Sequence, residues 1–232
     1  GAEHIDELDE ASGKLLEKAR RDAETFGVDV ETHTILSHRS FDEIFDAARN
    51  QRADLTLMGW GDDAHGSPGR VESAMSDLTG ALPCDFVVYR DRGFDPERLL
   101  LPTAGGPASE ISAEVARVLL GEFDAELTLM HVVDDERDLE RGQAFLEHWA
   151  EEHGFEDTPG IVEISEDPYE AIQSVADEYS LLILGASERG ILQRLADRHG
   201  VAWMIEQLEV SVLLAEPSRP RSLWERLFGR TN

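Results

Sequence analysis

Residues 99–133 read LLLPTAGGPASEISAEVARVLLGEFDAELTLMHVV, and the change of hydrophobic rhythm inside this stretch decides the fold. Leu99 to Thr103 starts as an uninterrupted apolar run, the pattern of a strand buried on both faces. Gly105 and Gly106 break the run, and Pro107 stands where a helix tolerates a residue without an N–H, at its first position. Ile111, Val115, Val118 and Leu119 then recur at i, i+4, i+7 and i+8, which is one face of an α-helix. Leu127 to Val133 returns to a strand. Strand, helix and strand joined by short turns form a βαβ unit, so the two strands are expected to run parallel.

The alternation continues outward. A charged helix is expected from Glu136 to His153, and a strand from Gly160 to Ser165. Asp167 and Glu170 form a capping pair around Pro168, opening a helix with Ile172, Val175, Ala176 and Tyr179 on one face. Leu181 to Leu184 is a fourth strand, Leu192 to Leu208 a helix and Val210 to Ala215 a fifth strand. Five strands separated by four helices define a doubly wound, mostly parallel α/β domain over residues 97–217.

Residues 1–92 repeat the end of that pattern. Ser40 and Glu43 form a capping pair before Phe41, Ile44, Phe45 and Ala48. The strand Leu55 to Met58, Gly59, a helix and the strand Phe86 to Tyr89 follow. Gly59 precedes Cys84 by 25 positions and Gly185 precedes Val210 by 25, so the halves are in register at 185 − 59 = 126. At that offset the first strand of the second half maps before residue 1, and its second strand maps onto GAEHIDE, which has no strand character. The first half is therefore expected to begin at its second helix, Ser12 to Phe26, without the preceding strand, helix and strand. Both a fragment cut from a longer protein and a naturally short half fit that reading. With its inner neighbours missing, the third strand of this half is expected to pair in a rearranged sheet or with another chain.

Composition narrows the partners. The 232 residues carry 21 Lys plus Arg against 49 Asp plus Glu, a formal net charge of −28, which repels phosphate backbones and anionic headgroups and argues against nucleic-acid binding. Disorder is argued against by 41% hydrophobic residues in regular runs. Lys14 and Lys18 are the only lysines, so nearly all the basic residues are Arg, and this balance resembles proteins of extreme halophiles. In molar salt such a coat stays hydrated while its self-repulsion is screened over about 3 Å. The single cysteine, Cys84, excludes an internal disulfide and fits a reducing cytoplasmic setting. No apolar run approaches the roughly 18 residues of a membrane span, and the N-terminal residues do not read as a signal peptide.

LPTAGGP after the first strand, LMHVVDD at the second and Gly185 after the fourth together resemble the universal stress protein family, as a tandem pair with a truncated first copy. SHRSFDEI, LTLMGWG, PTAGGP and the terminal LWERLFGR are further similar to the cytoplasmic C-terminal region of archaeal amino-acid permeases. The resemblance implies strand order 3-2-1-4-5, association of halves through their fifth strands, and a crevice that in nucleotide-binding members holds AMP or ATP. On this chain the crevice corresponds to Thr103, Ala104, Gly105, Gly106, Val132, Leu184 and Gly185, with Gly190, Arg198, His199 and Gly200 on the following loop.

Those nucleotide-binding members carry a glycine, a second glycine three positions on, and a Gly-Ser or Gly-Thr pair after nine more residues. Here Glu188 takes the second position, and Arg198 and His199 take the final pair. In the first half Gly59 fits, Asp62 and Glu72 replace glycines, and Ser73 keeps the hydroxyl. A carboxylate 4 Å from a phosphate charge repels it by about 4 kcal/mol at an effective dielectric near 20. The acidic residue expected after the first strand is Ala104. A shift of two residues instead pairs Gly190 with Gly200, with Val201 in place of the hydroxyl. Arg189 and Arg198 offer an alternative phosphate contact, or local ion pairs.

Other chemistry is not assembled. His148 and His153 fall on different helix faces and read as surface residues, His131 reads as packed in its strand, and no metal ligand set is spaced along the chain. Asp134, Asp135 and Glu136 read as a solvated helix start. The tail, residues 218–232, interleaves Leu223, Trp224, Leu227 and Phe228 with Arg221, Arg226 and Arg230, a basic amphipathic stretch suited to a membrane surface, a partner or its own domain. The sequence reads as a noncatalytic regulatory module on the cytoplasmic side of an amino-acid transporter, attached to the cell membrane through a preceding transmembrane region. The alternative is a stress-response sensor that binds AMP or ATP. A homodimer through sheet edges is expected of either.

Overall fold

The computed structural model describes residues 2–33, 40–59, 82–185 and 201–218. The chain divides into two compact units, Gly1–Ile44 and Phe45–Asn232. In the first, α1 (Ala2–Thr25) starts ten residues before the expected Ser12, because Ala2 to Glu10 holds good helix formers and neither Gly nor Pro. It ends in a Schellman motif: Gly27 takes φ 69°, and Val28 N–H reaches the Ala23 carbonyl at 3.1 Å. The third strand of the first half, which the offset places at residues 34–39, lies outside the described residues, as does the helix expected between Gly59 and Cys84.

The second unit is built on one seven-stranded sheet. Its elements in chain order are β1 (Leu55–Gly59), β2 (Asp85–Arg90), β3 (Arg98–Pro102), α3 (Pro107–Glu122), β4 (Glu126–Val133), α4 (Leu139–His153), β5 (Gly160–Ile164), α5 (Pro168–Ala176), β6 (Leu181–Gly185), α6 (Val201–Gln207) and β7 (Ser211–Glu216); α2 (Ser40–Gln51) straddles the unit boundary. The strand order is β1-β2-β7-β6-β3-β4-β5. From β5 to β7 this is the expected 3-2-1-4-5 order, all parallel. The strands read as the last of each half, β2 and β7, pair antiparallel.

Two registers coincide. Leu55 to Gly59 lie opposite Asp85 to Tyr89, and Leu181 to Gly185 lie opposite Ser211 to Ala215, which is the same pairing moved by 126 residues. At the antiparallel seam Val88 faces Leu214, its equivalent at that offset, so the seam has a local twofold axis there. Arg90 closes the seam. Its fully buried guanidinium donates to the Ile205 carbonyl, to Leu208 at 2.9 Å and to Glu206 at 3.1 Å, at the negative end of α6.

One sheet face packs Leu99, Leu101, Leu129, Ile183 and Leu213 against Ile111, Ala116, Leu146 and Trp149 of α3 and α4. Gly142 allows the close approach of α4, since a Cβ there would lie 2.7 Å from Val133 Cγ1. On the opposite face Phe45 meets Phe86 edge-on with ring centres 5.8 Å apart, and Met204 and Ile205 of α6 are buried.

Three local readings change. Val118 is 63% exposed; the buried stripe of α3 runs through Ala108, Ile111, Ser112, Ala116 and Leu119, small residues that let the helix sit close to the sheet. The helix expected from Glu136 begins as a 3-10 turn, Glu136–Asp138, capped by Asp135. At α5 the Asp167 carboxylate accepts from Tyr169 N–H at 2.8 Å, but Ser165 Oγ, not Glu170, accepts the Asp167 N–H at 3.1 Å, and Tyr179 falls in the turn after the helix. Of the helix expected over Leu192 to Leu208, α6 is the described part.

Candidate functional site

The carboxyl ends of β3, β4 and β6 converge where the parallel sheet presents a strand-end crevice. Thr103 to Gly106 form the turn from β3 into α3. Thr103 is buried, Ala104 is exposed, and Gly105 and Gly106 take φ 77° and 82°, a left-handed pair that residues with a Cβ rarely adopt. Most of the turn's polar groups are satisfied internally. Gly105 N–H donates to Thr103 Oγ1 at 3.1 Å, Ser109 Oγ donates to the Gly105 carbonyl at 3.0 Å, and Ser109 N–H donates to Gly106 at 3.1 Å. Gly106 is the N-cap of α3 and Pro107 its first residue, with no side-chain cap among the described residues.

Gly185 ends β6 directly beneath that turn. A Cβ on Gly185 would come within 2.9 Å of the Ala108 carbonyl carbon and 3.1 Å of Ser109 N. A glycine is required here so that α3 can start over β6, whether or not a phosphate ever approaches. Leu184 beside it is buried in the sheet, paired with Leu214.

On the β4 side the crevice is filled by side chains. His131 Nδ1–H donates to the Thr103 carbonyl at 2.8 Å, and its ring packs on Phe145 with centres 4.4 Å apart. The Phe145 ring in turn lies 3.5 Å from where a Cβ on Gly105 would be. Val132 is half-buried, in register with Glu163 of β5. Thr103, Ala104, Gly105, Gly106, Val132, Leu184 and Gly185 are thus gathered at one end of the sheet. Gly190, Arg198, His199 and Gly200 lie outside the described residues, as do Asp62, Glu72, Ser73, Glu188 and Arg189.

The reading of His153 as a surface residue is corrected. It is buried and stacked on Trp149 at 4.1 Å; Nδ1 meets the Trp149 carbonyl at 2.7 Å and Nε2 meets Glu110 of α3 at 3.2 Å. Arg117 of α3 donates to the His153 carbonyl at 3.0 Å, so α3 and the end of α4 are tied twice. The sequence signal was present: Trp149 and His153 stand four apart and share a helix face. His148 is exposed, 3.6 Å from Glu152. Cys84 is buried, with Sγ 3.1 Å from Thr56 Oγ1. Asp135 is held below the usual carboxylate range by the Arg137 guanidinium and then by Arg137 N–H, as it caps the 3-10 turn that precedes α4. Among the described residues no three His, Cys, Asp or Glu side chains gather as a metal site, and no helix is long and apolar enough to cross a membrane.

The architecture is that of the universal stress protein fold. A universal stress protein from Archaeoglobus fulgidus superimposes with a TM-score of 0.62 at 18% identity, covering 93% of this chain and 79% of that one. A universal stress protein from Pseudomonas aeruginosa gives 0.59 at 15% identity, over 94% and 83% of the two chains. The cytoplasmic domain of a prokaryotic cation chloride cotransporter gives 0.54 at 13% identity, over 77% and 70%. No protein-family model matches this sequence, and no curated protein sequence matches it.

Proposed function

We propose that this chain is a noncatalytic regulatory module of the universal stress protein fold, working on the cytoplasmic side of an amino-acid transporter, with a nucleotide crevice that has lost its phosphate-binding chemistry. The observation that carries the reading is the state of the strand-end crevice. Ala104 stands where the family's acidic residue is expected, the glycine turn is closed by Thr103 and Ser109, and Gly185 is occupied by the backbone of α3. Glu188, Asp62 and Glu72 would add repulsion along the phosphate-facing loops. A transporter partner is supported by the shared fold of the cotransporter cytoplasmic domain and by the permease-like segments of the sequence. In this reading residues 1–92 are a tandem copy without its first strand, helix and strand, and its partner is the complete domain over residues 97–217.

Titration calorimetry with AMP and ATP in molar KCl tests the crevice. No saturable heat is expected with either nucleotide; stoichiometric binding would overturn the degenerate-site reading and favour the nucleotide sensor. The transporter role is tested separately by amino-acid uptake in native cells with the coding sequence for this module removed. Altered uptake is expected, and unchanged uptake contradicts the role.

A further inference from the structure

We propose that the rings of Tyr89, Phe94 and Phe123 form a docking surface for residues 222–230 of a second copy of this chain, so that two copies exchange these segments. The inference is independent of nucleotide binding and of the transporter reading. Phe94 meets Tyr89 edge-on with ring centres 6.2 Å apart and Phe123 at 5.5 Å, yet Phe94 is 50% and Phe123 43% exposed. The loop that presents Phe94 is held by hydrogen bonds. Gly93, at φ 100°, donates its N–H to Asp91 at 2.8 Å, and the buried Ser211 hydroxyl donates to the Gly93 carbonyl at 3.0 Å while accepting Arg92 N–H at 2.9 Å. Half-exposed rings presented by such a loop are a preorganised apolar surface.

Charge selects the occupant. Asp91, Asp95, Glu97, Glu122, Asp124 and Glu126 are exposed on the segments that carry the rings, against Arg92 and Arg98. An apolar surface rimmed by acids fits an apolar stripe rimmed by bases. Residues 219–232, which lie outside the described residues, supply one in sequence: Leu223, Trp224, Leu227 and Phe228 share one helical face, and Arg219, Arg221, Arg226 and Arg230 stand against the single acid Glu225. The path of the chain makes the contact intermolecular. Ser218 N–H donates to Asp85 at 2.9 Å, at the start of β2, and the loop carrying Phe94 follows the other end of that strand, about 17 Å away over five residue steps. From Ser218 to Leu223 the chain reaches at most about 18 Å. The direct path is closed by α3, which packs over Leu213 and Ala215 of β7, so a detour leaves the stripe short of its own rings.

Sedimentation velocity of the intact chain in molar KCl, with two double variants, tests the exchange. The intact chain is expected to dimerise. Trp224→Glu with Leu227→Glu, and separately Phe94→Ser with Phe123→Ser, should each weaken association at least tenfold. The two variants mixed in equal amounts should associate more tightly than either alone, because the segment of the ring variant still meets the rings of the segment variant. The segment variant alters no residue of the ring surface, so its result stands apart from any loss of stability in the ring variant. A monomeric intact chain overturns the proposal, whether the segment then lies on its own domain or on a membrane. A dimer that both variants leave intact also overturns it and assigns association to the sheet edges. A mixture that associates no better than either variant alone contradicts exchange between copies.

Discussion

The strand pairs β1–β2 and β6–β7 share one register and one sequence rhythm, yet only the second is enclosed. Leu181 and Ile183 are fully buried, while their counterparts Leu55 and Leu57 are mostly in water. The difference teaches that an apolar strand is specified by its own residues but buried by its neighbours. β6 has β3 beside it and α3 above it, and β1 has β2 alone among the described residues. The seam between the pairs is also uneven. Arg90 clamps the carbonyls at the end of α6, and its counterpart across the twofold, Glu216, is a half-buried acid.

Breaking the seam should have the largest effect. Arg90→Met leaves the Ile205, Glu206 and Leu208 carbonyls without their buried donor and is expected to cost about 4 kcal/mol in chemical denaturation. A loss below about 1 kcal/mol would mean that solvent reaches those carbonyls. Next comes the paired test of enclosure: Ile183→Ala should destabilise by about 3 kcal/mol and Leu57→Ala by less than about 0.5. Equal losses would show that β1 is covered after all. Gly185→Ala forces a Cβ against the α3 backbone and should cost about 1–3 kcal/mol, whereas Gly59→Ala should be close to neutral. The smallest effect sharpens the local picture: Asp167→Ala removes the cap of α5 for about 1 kcal/mol, measured by thermal unfolding, and Glu170→Ala should leave stability unchanged.

The strands were legible because parallel strands buried on both faces write continuous apolar runs, as in Leu99 to Leu101 and Leu181 to Leu184, whereas their order was implied only by the family resemblance. The capping chemistry at Asp167 was visible in part. Its reciprocal bond comes from Ser165, a hydroxyl in the strand-to-helix connection that no capping-box spacing would select. Val118 misled because period alone does not say which of two adjacent stripes faces the sheet, and the alanines of α3 pack closer than its valines. In the site, the glycine turn and Gly185 were found from spacing. The plug of His131 and Phe145 was not, because it depends on how near α4 approaches β4 across Gly142. Nor was the His153–Glu110 contact, which joins residues 43 apart in sequence.

Amide hydrogen exchange of the intact chain, read strand by strand, tests the unequal enclosure of the two pairs most directly. The amides of Leu181 to Gly185 should exchange only through global unfolding, and those of Leu55 to Gly59 through far cheaper local opening. Equal protection of the two strands in the monomeric chain would contradict it.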